Sequence, residues 1–133
     1  QLEILETDAS VDSKLLIKFL QIFKSSGFSL AMDDFGSGYS SLGMFNSMPI
    51  DCLKLDKSFF DSWQPDMSER DSCLIKYMIK AAHDTGRTVV AEGIEEKFQV
   101  DLLRQYDCDM IQGYYFSKPL PAEEFASKMH KRV

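Results

Sequence analysis

Two adjacent aspartates, Asp33 and Asp34, follow directly on the apolar run Ser29–Met32. Two like charges side by side at the edge of a core repel each other and lose hydration, a cost that a bound cation offsets. Hard divalent ions such as Mg2+ and Mn2+ take oxygen ligands. A pair of them about 3.5–4 Å apart can share a bridging carboxylate and activate water for in-line attack on phosphate. A capping or ion-paired role accounts for the same two aspartates, and spacing alone leaves the choice open. Glu3, Lys54, Glu92 and Gln112 also fall within or just after short apolar runs, and strand ends are where parallel α/β architectures build their sites. Lys54 could engage a phosphate or act on water through its charge, although a lone lysine at a strand end more often belongs to a solvated face. Phe35-Gly36-Ser37-Gly38-Tyr39-Ser40-Ser41 has two glycines that permit positive φ and close approach to a ligand. Its spacing is neither the dinucleotide nor the P-loop pattern.

These residues need strands to carry them. Short apolar runs at Leu2–Glu6, Ser29–Met32, Cys52–Leu55, Thr88–Ala91 and Met110–Gln112 alternate with longer amphipathic stretches, the rhythm of successive βα units and a mainly parallel sheet or barrel. Leu15, Leu16, Phe19, Leu20 and Phe23 predict a first helix packed on the sheet, with Asp12 or Ser13 as N-cap and Gly27 as its stop. Leu74, Ile75, Met78, Ile79 and Ala82 predict a second, ending at Gly86. Phe98, Leu102 and Leu103 predict a third, and Pro121 opens a fourth. The methionines and aromatics on these faces are read as core. A polar stretch at Asp61–Asp71 reads as a long connection into the second helix.

Composition narrows the function classes. The chain has 133 residues and a formal net charge of −6, so it lacks the cationic excess that gripping a DNA or RNA duplex or an anionic lipid surface requires. No apolar run reaches the roughly 20 residues of a membrane-spanning helix, and the expectation is no membrane insertion in this segment and a cytoplasmic or cytoplasm-facing location. Cys52, Cys73 and Cys108 form neither a disulfide framework nor a metal or redox motif; buried thiols are expected. His83 and His130 lack companions at ligand or triad spacing, and no nucleophile elbow or His-Glu-X-X-His helix is present. Gln1 opens directly on a strand-like run, which suggests a fragment.

Leu30-Ala31-Met32-Asp33-Asp34-Phe35-Gly36-Ser37-Gly38-Tyr39-Ser40-Ser41-Leu42 resembles the hallmark loop of EAL domains. Asp51-Cys52-Leu53-Lys54-Leu55-Asp56-Lys57-Ser58-Phe59, Val89-Val90-Ala91-Glu92-Gly93-Ile94-Glu95 and Gln112-Gly113-Tyr114-Tyr115-Phe116-Ser117-Lys118-Pro119-Leu120-Pro121 resemble later motifs of that family in the correct order. The resemblance implies an α/β fold, part of a TIM-like (β/α) barrel with about five parallel strands alternating with helices. It implies hydrolysis of cyclic di-GMP to linear pGpG with two Mg2+ or Mn2+ ions. In that assignment Glu3 and Asp33 hold one metal, Asp33 bridges to a second, and Asp34 and Glu92 bind that second ion. Lys54 orients the attacking water or a phosphate oxygen, Glu6 braces the loop after Asp34, and Glu95 and Gln112 complete the polar shell around metals and ligand.

Leu5 stands where the family usually has threonine. The resemblance also puts the Glu-Ala-Leu signature, a substrate-contacting arginine and a metal-binding asparagine before Gln1, so residues 1–133 are expected to be the C-terminal portion of an EAL domain. The isolated fragment is expected to be inactive and to pair as a homodimer or self-associated half-barrel, since open sheet edges and an apolar interior drive association. A non-catalytic EAL module that binds cyclic di-GMP or a protein partner in signalling is the alternative.

Overall fold

A computed structural model describes residues 1–5, 13–35 and 42–130. Five strands, β1 (Leu2–Leu5), β2 (Leu30–Phe35), β3 (Cys52–Leu55), β4 (Thr88–Ala91) and β5 (Met110–Ile111), lie in chain order in one sheet. All four pairings are parallel. The connections carry helices α1 (Ser13–Ser25), α2 (Leu42–Ser47), α3 (Glu69–Asp84) and α4 (Lys97–Gln105), and α5 (Ala122–His130) follows β5. The expected run of five parallel strands alternating with helices is present.

The sheet's two faces differ because side chains alternate along each strand. Leu30, Met32, Leu53, Leu55, Val89 and Ala91 face the helices and join the main core with Leu20, Ile75, Ile79, Val100 and Leu103. Ala31, Cys52 and Val90 form a separate small cluster on the other face. Continuing that face two residues along each strand reaches Asp33, Lys54 and Glu92. One alternation thus gives the core on one side and the polar site on the other.

The N-terminal rim of the sheet is fastened by a repeated device. Asp51, just before β3, accepts the Leu30 N–H at 2.9 Å and an ion pair from Lys24 at 2.8 Å. Asp109, just before β5, accepts the Val89 N–H at 2.7 Å and bonds His83 at 2.8 Å. Each aspartate satisfies a strand amide that the ladder leaves over. Burial works against ionisation of both, yet both pKa values lie below 3.8, Asp51 through Lys24 and Leu30 and Asp109 through His83 and Val89. His83, given no chemistry from its spacing, belongs to this rim; the side chain of His130 lies outside the described residues.

Several local expectations shift. β2 runs on through Asp33 and Asp34 to Phe35, whereas β5 is one residue shorter than expected; Glu6, the expected last residue of β1, lies outside the described residues. α2 and a 3-10 turn at Lys57–Phe59 add to the expected elements, both being too short to establish a period in sequence. Within α1, Leu20 is buried and Leu16 partly so, but Leu15, Phe19 and Phe23 are exposed. The apolar surface of that helix is wider than the strip the sheet covers. α3 begins at Glu69, where the Asp71 carboxylate accepts both the Ser68 N–H and hydroxyl, so the polar connection ends sooner than Asp71. Pro121 sits immediately before α5 and takes the Phe125 N–H on its carbonyl at 3.0 Å. The three thiols are free; Cys52 is buried, while Cys73 and Cys108 are half-buried. The expected cap Asp12 lies outside the described residues.

Candidate metal centre

Adjacent residues of a regular strand point to opposite faces, so Asp33 and Asp34 could not ordinarily serve one ligand. A bulge solves this. Met32 pairs with Leu53 and Phe35 with Leu55, leaving Asp33 and Asp34 together opposite Lys54. Asp34 takes φ +53°, in the left-handed region that aspartate tolerates better than most side chains, and its N–H donates to Asp33 Oδ1 at 3.0 Å. The result is that Asp33, Asp34 and Glu92 each present a carboxylate oxygen, all within 4.8 Å of one another.

Lys54 is the centre of charge. Its ammonium lies 2.9 Å from Asp33 Oδ1, 3.2 Å from Glu92 Oε1 and 3.2 Å from Glu3 Oε1, and only 9% of the residue is exposed. The expectation that a lone lysine at a strand end faces solvent therefore fails here: its neighbours on β1, β2 and β4 enclose it. Burial disfavours its charge, but hydrogen bonds to Asp33, Glu3 and Glu92 outweigh burial and raise its pKa above the ordinary 10.5. Burial pushes the Glu92 carboxyl above 4.5, with Asp33 and Glu3 acting in the same direction and Lys54 opposing. The arrangement is a concentration of negative charge balanced by one cation, built from oxygen donors that suit a hard divalent ion.

Glu3, within β1, thus converges with Asp33, Asp34, Lys54 and Glu92 from the ends of β2, β3 and β4. Gln112 is exposed at the end of β5, its backbone N–H bonded to Ala91 O at 2.8 Å. Glu95 stands apart from the Lys54 ion pairs and joins Lys57 at 2.7 Å. Glu6 and the loop Gly36–Ser41 lie outside the described residues. Leu5, the partner of Asp33 in the β1–β2 ladder, is exposed.

Two features of the site had no signal in the sequence. Lys57 ties the β3 end to the loop after β4, and its partner Glu95 is 38 residues away. Gly93, at φ +68°, lies so close to Lys57 that a Cβ there would sit 2.6 Å from Lys57 Cβ. A cavity of about 690 Å3 lies elsewhere, between α3, α4 and the connection before α3, lined in part by Arg70, Lys76 and Tyr106. It does not include the carboxylates. No described helix is long and apolar enough to cross a membrane.

Comparison with known proteins gives the same direction as the motifs. The family described as EAL domain matches residues 1–119. Cyclic di-GMP phosphodiesterase NbdA of Pseudomonas aeruginosa is 39% identical over 128 residues, covering 94% of this chain and 16% of that protein. The solved EAL domain of Mycobacterium smegmatis DcpA superposes with a TM-score of 0.86 at 32% identity, over 98% of this chain and 57% of that one. Klebsiella pneumoniae BlrP1, solved as a manganese and cyclic di-GMP complex, superposes with a TM-score of 0.78 at 30% identity, over 88% of this chain and 29% of that one. The five parallel strands match the wall of the TIM barrel that EAL domains form. The chain spans about one sixth of the length of the curated relatives it matches.

Proposed function

The chain belongs to the EAL domain family, and from that premise we propose that the protein of which it forms part hydrolyses cyclic di-GMP to linear pGpG. The observation that carries the reading is the convergence of Asp33, Asp34 and Glu92 within 4.8 Å, beside an enclosed lysine at the strand ends. In this reading residues 1–133 are the C-terminal portion of the domain, and the isolated piece has little or no turnover. BlrP1 was solved as a complex with manganese and cyclic di-GMP; both are proposed ligands here, with Mg2+ as the other candidate ion.

Asp33, Asp34 and Glu92 would supply the oxygens that hold the divalent ions, with Glu3 adding a further carboxylate beside Asp33. Bound there, such ions supply a water of lowered pKa and neutralise charge on the phosphodiester. The chain's own residues do the rest. The Asp34 turn aims two neighbouring carboxylates at one point. Lys54 keeps its proton at neutral pH and donates hydrogen bonds, so it orients the attacking water or a phosphate oxygen and balances the charge that builds on phosphate. Gln112, exposed at the β5 end, is assigned to ligand contact. The Lys57–Glu95 pair gives Glu95 a supporting role in the loop that carries Glu92.

The test is turnover of cyclic di-GMP by the full-length protein with Mg2+ and with Mn2+. Production of pGpG that is lost in Glu92→Gln supports the reading. Binding of cyclic di-GMP without turnover in either metal replaces it with the non-catalytic module.

A further inference from the structure

We propose that Gly113 is a positioning residue for the Glu92 carboxylate, acting through the backbone of Ile94; this rests on the metal-site reading above. The end of β5 lies backbone against backbone on the turn that follows β4. A Cβ placed on Gly113 would stand 2.0 Å from Ile94 O, 2.3 Å from Ile94 N and 2.7 Å from Ile94 C. None of these atoms is the end of a flexible side chain. Two hydrogen bonds span the same contact: Ile94 N–H donates to Gln112 O at 3.1 Å, and Tyr115 N–H donates to Ile94 O at 3.0 Å. Ile94 is itself 0% exposed, so the turn cannot swing away without opening the core.

Glu92 is two residues before Ile94. Its own N–H is fixed to Leu55 O at 3.0 Å, and Ala91 O is held by Gln112 N–H at 2.8 Å. The carboxylate therefore leaves a backbone clamped to β3 on one side and to the β5 end on the other. Ordinary van der Waals separation requires any added methyl on Gly113 to be relieved by a movement of about 1 Å. Metal–ligand distances tolerate roughly 0.2 Å, and productive sites about 0.5 Å. The turn must give, and Glu92 with it.

The experiment compares Gly113→Ala with Gly86→Ala in the full-length protein. Gly86 has φ +74° with nothing within 4 Å of a Cβ, so alanine there strains the backbone without touching the site. Mn2+ affinity is measured by calorimetry in the absence of substrate, beside urea midpoints for both variants. The expected result is Mn2+ binding weakened at least about 10-fold in Gly113→Ala, and unchanged in Gly86→Ala at a comparable loss of stability. Equal Mn2+ affinity in both variants would overturn the proposal. Amide exchange of the wild-type protein needs no variant to fold: Mn2+ should slow exchange at Ile94 and Tyr115, because coupling between sites is reciprocal. Unchanged exchange there counts against it. Glu92→Gln separates the two layers: if it binds Mn2+ as tightly as wild type, the metal-site reading itself fails and the inference falls with it.

Discussion

Replacing Lys54 with methionine keeps the apolar stem and removes the one cation among three carboxylates. In the metal-free protein, Asp33, Glu92 and Glu3 then face one another with their charges uncompensated. Breaking a buried ion pair from one side costs about 3–5 kcal/mol. Because the Glu3 side chain is 49% exposed and relaxes into solvent, about 2–3 kcal/mol is the better expectation here. With an m-value of roughly 1–3 kcal/mol per molar urea, the unfolding midpoint drops by about 0.7–3 M. The sign with pH follows from the raised lysine pKa. The stabilisation by Lys54 is fully present below 10.5 and is lost as pH rises through the higher folded value. Mn2+ should then stabilise the variant more than the wild type, since in the variant it meets no resident ammonium. A site filled to about 100 times its dissociation constant contributes about 2.7 kcal/mol, enough to restore the midpoint, while turnover stays lost. Equilibrium urea unfolding with and without Mn2+ reads all of this. A metal-free midpoint indistinguishable from wild type, or equal Mn2+ stabilisation of both proteins, would refute the picture of Lys54 as the resident counter-ion.

Asp34→Gly should separate stability from affinity: glycine relieves the left-handed backbone by about 0.5–1 kcal/mol, while loss of the carboxylate weakens Mn2+ binding by calorimetry at least about 10-fold. Asp51 and Asp109 carry depressed pKa values, so their stabilisation is complete above 3.8 and disappears as pH falls through the lower folded values. Asp51→Asn and Asp109→Asn should therefore lower the urea midpoint at pH 7, with the difference from wild type narrowing as pH falls below 3.8. On α3, Ile79→Ala at a 1% exposed position should cost about 2–4 kcal/mol, whereas Leu74→Ala at a 58% exposed position should cost less than about 0.5 kcal/mol; a similar loss at both would mean the helix packs on a different face.

Period and punctuation made much of this chain legible before any coordinates. Thr88–Ala91 reads as a strand because four apolar or β-branched residues between turn signals have little alternative, and Cys52–Leu55 because three of its four residues are apolar. Gly27 and Gly86, both at positive φ in the structure, stop their helices as their residue type requires. The carboxylates at strand ends were visible too, since a parallel sheet puts every strand's C-terminal end on one rim. Periodicity could not say which row of α1 meets the sheet, because Leu15, Leu16, Phe19 and Leu20 satisfy the same helical repeat and only the sheet's reach selects Leu16 and Leu20.

The site's geometry depended on the fold. Asp33 and Asp34 are neighbours in sequence, yet strand alternation sends neighbours apart; only the bulge against β3 turns both to one point. Lys54 reads alone as a surface lysine and becomes a buried counter-ion once three other strands bring acids to it. Gly113 carries no local mark of its task, because the atoms that exclude a side chain there belong to Ile94 on another strand's turn. The sequence by itself determined which elements form and which rim bears charge, since those depend on near neighbours along the chain. Which charges meet, and which backbones touch, depends on register and curvature between strands far apart in sequence, and only the tertiary structure decided them.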